Sequence, residues 1–222
     1  MSVRMTFDWS AFIEAFPGLL YGARVTLFVT LVSLPAGLIL GALVGVVLTY
    51  APRPVAGIAQ VYVGLIRGTP MVVQIMFIFF GLPALMDVRL DGLTAGVVAL
   101  VINSSAYLAE IVRGGLLAVP RGLQEAGLAM GLRFGQVIRY IVGPVAFRRM
   151  IPALGNQFVI GLKDTSLLIV IGVGELTRTG QEIMTDTYRA IEVWSAVAII
   201  YLVMISLMAG LLKLLEKRVR MA

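Results

Sequence analysis

The sequence predicts an all-α integral membrane protein with about five transmembrane helices, and three observations predict it. Of 222 residues, 59 % are hydrophobic and 14 % charged, outside the usual composition of a soluble domain. Apolar stretches of about 20 residues, enough to cross about 30 Å of hydrocarbon, recur along the chain. The cations crowd into the connections on one side, which the positive-inside rule explains without a polyanionic partner. The net charge of +6 therefore does not point to nucleic acid. No stretch is polar enough or long enough for a second core, so residues 1–222 read as one membrane domain.

The first 18 residues carry Arg4, Asp8 and Glu14 among scattered apolar positions, which is not the basic-then-apolar plan of a signal peptide. The first span covers about 19–50. Its Gly37, Gly41 and Gly45 sit four apart, a spacing suited to close helix contact in lipid. Pro52, Arg53 and Pro54 end it. The second stretch, about 56–85, is interrupted by Arg67-Gly68-Thr69-Pro70, where Pro70 lacks a donor and bends the helix. Gln60, Arg67 and Gln74 recur every seven residues, a stripe expected to face protein or water. The third span, about 93–117, carries Asn103, Ser104 and Ser105 near its middle, with Asn103, Tyr107 and Glu110 on one face.

Residues 121–144 form the longest polar interlude. Leu123, Ala126, Met130, Phe134, Val137, Ile138 and Ile141 recur at helical spacing, a stripe expected to lie against something apolar. Gly127, Gly131 and Gly135 each cost about 1 kcal/mol of helix relative to alanine, so a turn or a close backbone approach is expected. The reading is a helix, a bend near Gly131, a second short helix, and Pro144 opening the next span. A fourth span, about 151–174, holds Asn156-Gln157 and Lys163-Asp164-Thr165-Ser166. A loop with Glu175, Arg178, Glu182, Asp186, Arg189 and Glu192 leads to a fifth, about 193–215, and the basic end Lys213, Lys217, Arg218 and Arg220.

Five spans put the termini on opposite sides. Arg53, Arg121, Arg133, Arg139, Arg148, Arg149 and the basic end then share one side, and Arg4, Arg89, Arg178 and Arg189 the other. This places residues 121–144 and the C-terminus in the cytoplasm and the N-terminus outside. The basic end would meet anionic lipid there.

The chain has no Cys and no His, which removes thiol nucleophiles, disulfides, Cys/His zinc sites and Ser-His-Asp triads. No catalytic residue and no metal ligand set is expected. The candidate site is instead the group of polar residues at membrane depth. Lys163 beside Asp164 is costly there unless each finds a partner. The pair either meets a solute or neutralises charges on other helices. Thr165 or Ser166 is suited to cap a restarted half-helix whose positive end favours an anion such as a carboxylate. Arg67 is suited to clamp a carboxylate, to snorkel, or to pair with an acid such as Glu110. Asn103, Ser104 and Gln74 are candidates for the same path or for hydrogen bonds between helices.

Glu125-Ala126-Gly127, three residues, Gly131, nine residues, Ile141, one residue and Pro144 resemble the EAA loop, E-A-A-x3-G-x9-I-x-L-P, of ATP-binding-cassette (ABC) importer permeases. Gly127 stands in place of the second Ala and Gly143 in place of Leu, and the Ser that often caps the second short helix is absent. RGTPMVVQ (67–74), AYLAEIVRGGLLAVPRG (106–122), LKDTSLL (162–168) and GVGELTRTGQ (172–181) are similar to recurring segments of the polar amino acid uptake branch. The resemblance implies a permease without enzymatic activity, working by alternating access in a bacterial inner membrane. It implies as partners a pair of ATPase subunits that bind ATP and Mg, a second permease subunit (identical or a close relative), and a periplasmic or extracellular amino-acid-binding protein. By the same resemblance Glu125, Ala126, Gly127 and Gly131 form the coupling helix that docks on the ATPase. Lys163, Asp164, Thr165 and Ser166 lie near the translocation path. The competing expectation is a self-contained secondary transporter or channel subunit, which should show repeats and paired broken helices.

Overall fold

In the computed structural model, which describes residues 7–221 (the side chains of 219–221 excepted), Asp8 opens the first helix by accepting hydrogen bonds from Ser10 N and Ala11 N at 3.0 and 3.3 Å. Arg4 and the Arg220 side chain, counted in the charge asymmetry above, lie outside the described residues. Helix α1 (Trp9–Tyr50) has 42 residues, about 63 Å at 1.5 Å per residue, roughly twice the hydrocarbon thickness. It tolerates Pro17 and Pro35 within it, and around them Thr30 and Ser33 donate to Thr26 O and Val29 O.

The second apolar stretch is not one helix. Helix α2 (Arg53–Gly68) stops at Thr69-Pro70, and α3 (Met71–Met76), a π-turn (Phe77–Gly81) and α4 (Leu82–Met86) leave at 105° to it. Asp91 then caps α5 (Gly92–Leu117), accepting from Thr94 N at 3.0 Å. Helices α6 (Arg121–Ala129) and α7 (Phe134–Val137) and a second π-turn (Ile138–Val142) lead into α8 (Gly143–Asp164), with Pro144 in its first turn. A 3₁₀ segment (Thr165–Ile171) precedes α9 (Leu176–Thr187) and α10 (Ala190–Met221). Among the described residues there is no strand. Among the described residues four helical stretches are long and apolar enough to cross a membrane, or five with the bent pair counted as one span.

The α1–α5 pair is the most extensive helix contact. It is a glycine seam: a Cβ at Gly37 would meet Ser104 Oγ, at Gly41 Leu108 Cβ at 2.7 Å, and at Gly45 Ala109 O at 2.7 Å. The four-residue spacing thus marks a close backbone approach. Elsewhere α1 packs on α10 through Ala15, Leu19 and Ala23 against Val193, Val197 and Ile200. Val29 meets Ile75, Ala99 and Leu168 in a second cluster.

The connection expected as a loop between the last two spans is helical. Glu175, fully buried, caps α9 by accepting from Thr177 N and Arg178 N at 2.9 and 2.8 Å. Arg178 pairs with Glu182 one turn on, at 2.7 Å. The helix escapes a hydropathy reading because its buried face is short, with only Leu176 and Gly180 fully covered.

Candidate functional site

A polar cavity of about 520 Å³ opens where the break between α2 and α3 faces α5 and α8. The break contributes Arg67, Thr69 and Pro70, α5 contributes Asn103 and Tyr107, and α8 contributes Gln157 and Asp164. The cavity therefore holds a guanidinium, a carboxylate and carboxamides within apolar helices. Such a place suits a zwitterion better than a hydrocarbon. Arg67 is steadied by stacking, its Cζ 5.5 Å from the Tyr107 ring centroid.

The walls are fixed by hydrogen bonds to the carbonyls that the break frees. Gln74 Nε2 donates to Ile66 O (2.7 Å) and Thr69 O (3.1 Å), while Asn103 Nδ2 donates to Gln74 Oε1 at 3.0 Å. Tyr62 OH donates to Ile102 O at 3.2 Å and shares a 2.6 Å hydrogen bond with Ser105 Oγ. The broken helix is thereby strapped to α5 on both sides of the break.

A second feature lies at the far end of α8. Helix α6 ends in a left-handed turn at Gly131 (φ +82°), with Leu132 N bonded to Gly127 O and Gly131 N to Leu128 O, at 3.2 and 2.9 Å. This is a Schellman ending, which glycine enters without steric cost. Gln136 Oε1 then accepts from Arg133 N at 2.8 Å, the glutamine half of a capping box whose serine the sequence lacks. A Cβ on Gly127 would lie 2.6 Å from Ile141 Cδ1 and 3.0 Å from Val137 Cγ2, so α6 is pressed onto the second π-turn. Leu123, Leu128 and Phe134 face outward, and Met130 is 80 % exposed.

Residues 33–221 match the family described as the inner membrane component of binding-protein-dependent transport systems. The chain belongs to that family. Among its relatives, the glutamine transport system permease protein GlnP of Escherichia coli (strain K12) is 50 % identical over 217 residues, 97 % of this chain and 99 % of that one. The arginine transport system permease protein ArtQ of Bacillus subtilis (strain 168) is 35 % identical over 216 residues, with 97 % and 99 % covered. A solved amino acid ABC transporter with histidines superposes with a TM-score of 0.89 at 37 % identity, covering 96 % of this chain and all of its own. The inward-facing MetNI methionine ABC transporter, at 24 % identity, agrees in fold, with a TM-score of 0.80 and 99 % of both chains covered. The protein is thus a multi-pass permease subunit of an ABC importer in the inner membrane, and such subunits work with ATPase subunits. The self-contained transporter is overturned by the same match.

Within this permease the structure brings together Arg67, Asn103 and Asp164 of the sequence candidates. Gln74, 8 % exposed, stands behind Asn103 rather than on a stripe with Gln60 and Arg67, because the break at Pro70 turns it inward. Arg67 does not pair with Glu110, whose carboxylate is held by Arg113 at 2.8 Å. Lys163 is exposed and outside the cavity lining, and forms no ion pair with Asp164 within 4 Å. Thr165 and Ser166 do not cap a restarted half-helix. Their hydroxyls donate backward to Leu162 O (2.7 Å) and Lys163 O (2.8 Å), closing the end of α8. Ser104 is buried against Gly37.

The expected apolar stripe of residues 123–141 is divided in this permease: Ile138 and Ile141 are half-buried, and Leu123, Ala126, Met130 and Phe134 are exposed. Only Val137 of that set is fully buried, and the face turned inward at α6 is that of Gly127. Of the expected coupling residues, Gly127 is buried against the chain's own Ile141 and Val137, Gly131 forms an exposed turn, and Glu125 and Ala126 are exposed.

Two residues named in the sequence were given no role there. Gln157 is 7 % exposed, lines the cavity and has no hydrogen-bond partner among the described residues. Its spacing from Ile160 and Asp164 (i, i+3, i+7) was the available signal. Glu175 joins α9 to α10, accepting from Tyr201 OH at 3.0 Å. Burial pushes its carboxyl above the ordinary range, while the two capping N–H groups and Tyr201 pull it back.

Gln74→Leu is expected to destabilise the permease by about 1–3 kcal/mol, chiefly because the buried Asn103 amide loses its partner, as do the less buried Ile66 O and Thr69 O. Thermal unfolding in detergent checks it. Asn103→Leu added to Gln74→Leu should cost less than the sum of the singles, because the two amides bond each other.

Proposed function

We propose that this permease carries a polar L-amino acid, with glutamine the first to test, through the cavity of Arg67, Asn103, Gln157 and Asp164. The observation that carries the reading is that one polar cavity at a helix break offers a guanidinium for a carboxylate and a carboxylate for an ammonium. The free carboxamide of Gln157 suits a neutral polar side chain. The 50 % identity to a glutamine permease supports the same class.

Energy comes from a pair of ATPase subunits, which hold ATP and Mg on their own chains. They dock on Glu125, Ala126 and the exposed apolar groups of α6. A second permease subunit, a copy or a close relative, completes the pathway, and an external binding protein delivers the amino acid. The N-terminus lies outside and the C-terminus in the cytoplasm, as the arginine distribution suggests. The permease switches between inward and outward openings as the ATPase pair closes and opens.

The test is uptake into vesicles holding the complete transporter, supplied with a glutamine-binding protein. Arg67→Leu and Asp164→Leu should each reduce uptake by about 10- to 150-fold, the equivalent of about 1.5–3 kcal/mol for a charge-assisted hydrogen bond. ATP hydrolysis should remain stimulated by the binding protein. Unchanged uptake in both variants sinks the cavity assignment, and glutamine uptake without ATP sinks the importer reading.

A further inference from the structure

Helices α1 and α10 leave between them a surface groove of about 380 Å³. Its walls are apolar: Phe16, Leu20 and Leu27 on one side, Ile199, Val203 and Met204 on the other. The one charged group lining it is Arg24. Its side chain is exposed, flanked by the exposed Tyr21, Leu27 and Phe28, and among the described residues its guanidinium has no ion pair or hydrogen bond.

That position is unusual for a cation. No charged residue follows on the chain until Arg53, and on α10 none stands between Glu192 and Lys213. Arg24 thus faces outward beside two uncharged helical runs, where an unpaired charge is costly. The acids on the adjoining elements are already engaged. Glu192 accepts from Asp8 N at 2.9 Å and lies 3.9 Å from Arg189, and Glu175 is spent on α9 and Tyr201. Glu14 is ten residues earlier, about 15 Å along the helix axis. Among the described residues Arg24 finds no anion, so the complementary charge comes from what covers the groove.

We propose that the α1–α10 groove is a binding site for an anionic phospholipid, its phosphate on the Arg24 guanidinium and an acyl chain along the apolar walls. The planar guanidinium matches two phosphate oxygens at once, and its stem lies along the groove while the head reaches toward the interface. The site is separate from the polar cavity and from α6. Its consequence is a transporter whose activity depends on anionic lipid at this position.

The test uses the complete transporter purified in mild detergent with mixed phosphatidylglycerol and phosphatidylcholine, analysed by native mass spectrometry. The wild type should retain phosphatidylglycerol selectively. Arg24→Gln should lose at least about five-fold of that retention, with Arg24→Lys intermediate, as expected for a monodentate cation. In vesicles, uptake by the wild type should rise severalfold when phosphatidylglycerol is added to phosphatidylcholine, and uptake by Arg24→Gln should not. Both variants remove or conserve charge in a lipid-facing stretch, so insertion is expected to persist and is checked by size exclusion. Equal phosphatidylglycerol retention by wild type and Arg24→Gln overturns the proposal. So does efficient cross-linking of Arg24→Cys to a second permease subunit, which would show protein covering the groove.

Discussion

Gly41→Leu is expected to prevent the permease from reaching its folded state, while Gly210→Leu leaves it intact. A Cβ at Gly41 would already stand 2.7 Å from Leu108 Cβ, 2.7 Å from Ser105 O and 3.1 Å from Ala109 N. Two of those three atoms are backbone, so no rotamer change relieves the clash, and α1 must separate from α5. Overpacking typically costs about 1–3 kcal/mol even where side chains can give way. Here the displaced contact is the largest in the fold, with Gly37 and Gly45 in the same seam. Gly210 has nothing within 4 Å of a Cβ and sits on an exposed face of α10. Leucine there should add about 1 kcal/mol of helix preference. The measurement is the monodisperse fraction and the unfolding midpoint of detergent-solubilised protein. A Gly41→Leu midpoint equal to that of Gly210→Leu would contradict the seam.

That seam was legible from spacing alone, because three glycines four apart on an apolar helix have few other physical uses. So were the membrane class, the break at Pro70, where proline lacks a donor, and the turn at Gly131, where only glycine enters positive φ without steric cost. What escaped was everything that depends on where a face points after such a break. Gln60, Arg67 and Gln74 share a stripe only if the helix is straight, and the 105° bend sends Gln74 inward. The cavity joins residues 67, 103, 157 and 164 from three elements, an arrangement that periodicity within one helix cannot express. The apolar stripe at 123–141, part buried and part exposed in this chain, is a different case. Apolar positions signal burial against something, and nothing in the pattern says whether that surface belongs to the same chain. The π-turns at 77–81 and 138–142 have no composition of their own and were invisible.

The turn at Gly131 leads to the second large effect, in the transmission of force rather than in folding. Gly131 has open space around a Cβ but φ of +82°, so its substitution is opposed by backbone strain alone. A β-carbon in the left-handed region costs about 1–2 kcal/mol, less for asparagine. Gly127 is the reverse case: its backbone is helical, and the obstacle is contact with Val137 at the end of α7 and Ile141 on the π-turn. Alanine at 127 can be met by a shift of the Ile141 methyl end, whereas leucine must lift α6 off the arm that feeds α8. If α6 carries the ATPase stroke, Gly131→Leu and Gly127→Leu should insert normally and keep hydrolysing ATP in complex. Uptake should fall at least about ten-fold, the equivalent of about 1.4 kcal/mol of lost coupling. Gly131→Asn and Gly127→Ala should retain most uptake, since each answers the specific constraint at its site. Paired measurements of ATP hydrolysis and uptake on the four variants separate the two constraints. Loss of hydrolysis together with uptake would mean that α6 binds the ATPase without transmitting its motion, and full uptake in both leucine variants would remove α6 from the coupling path.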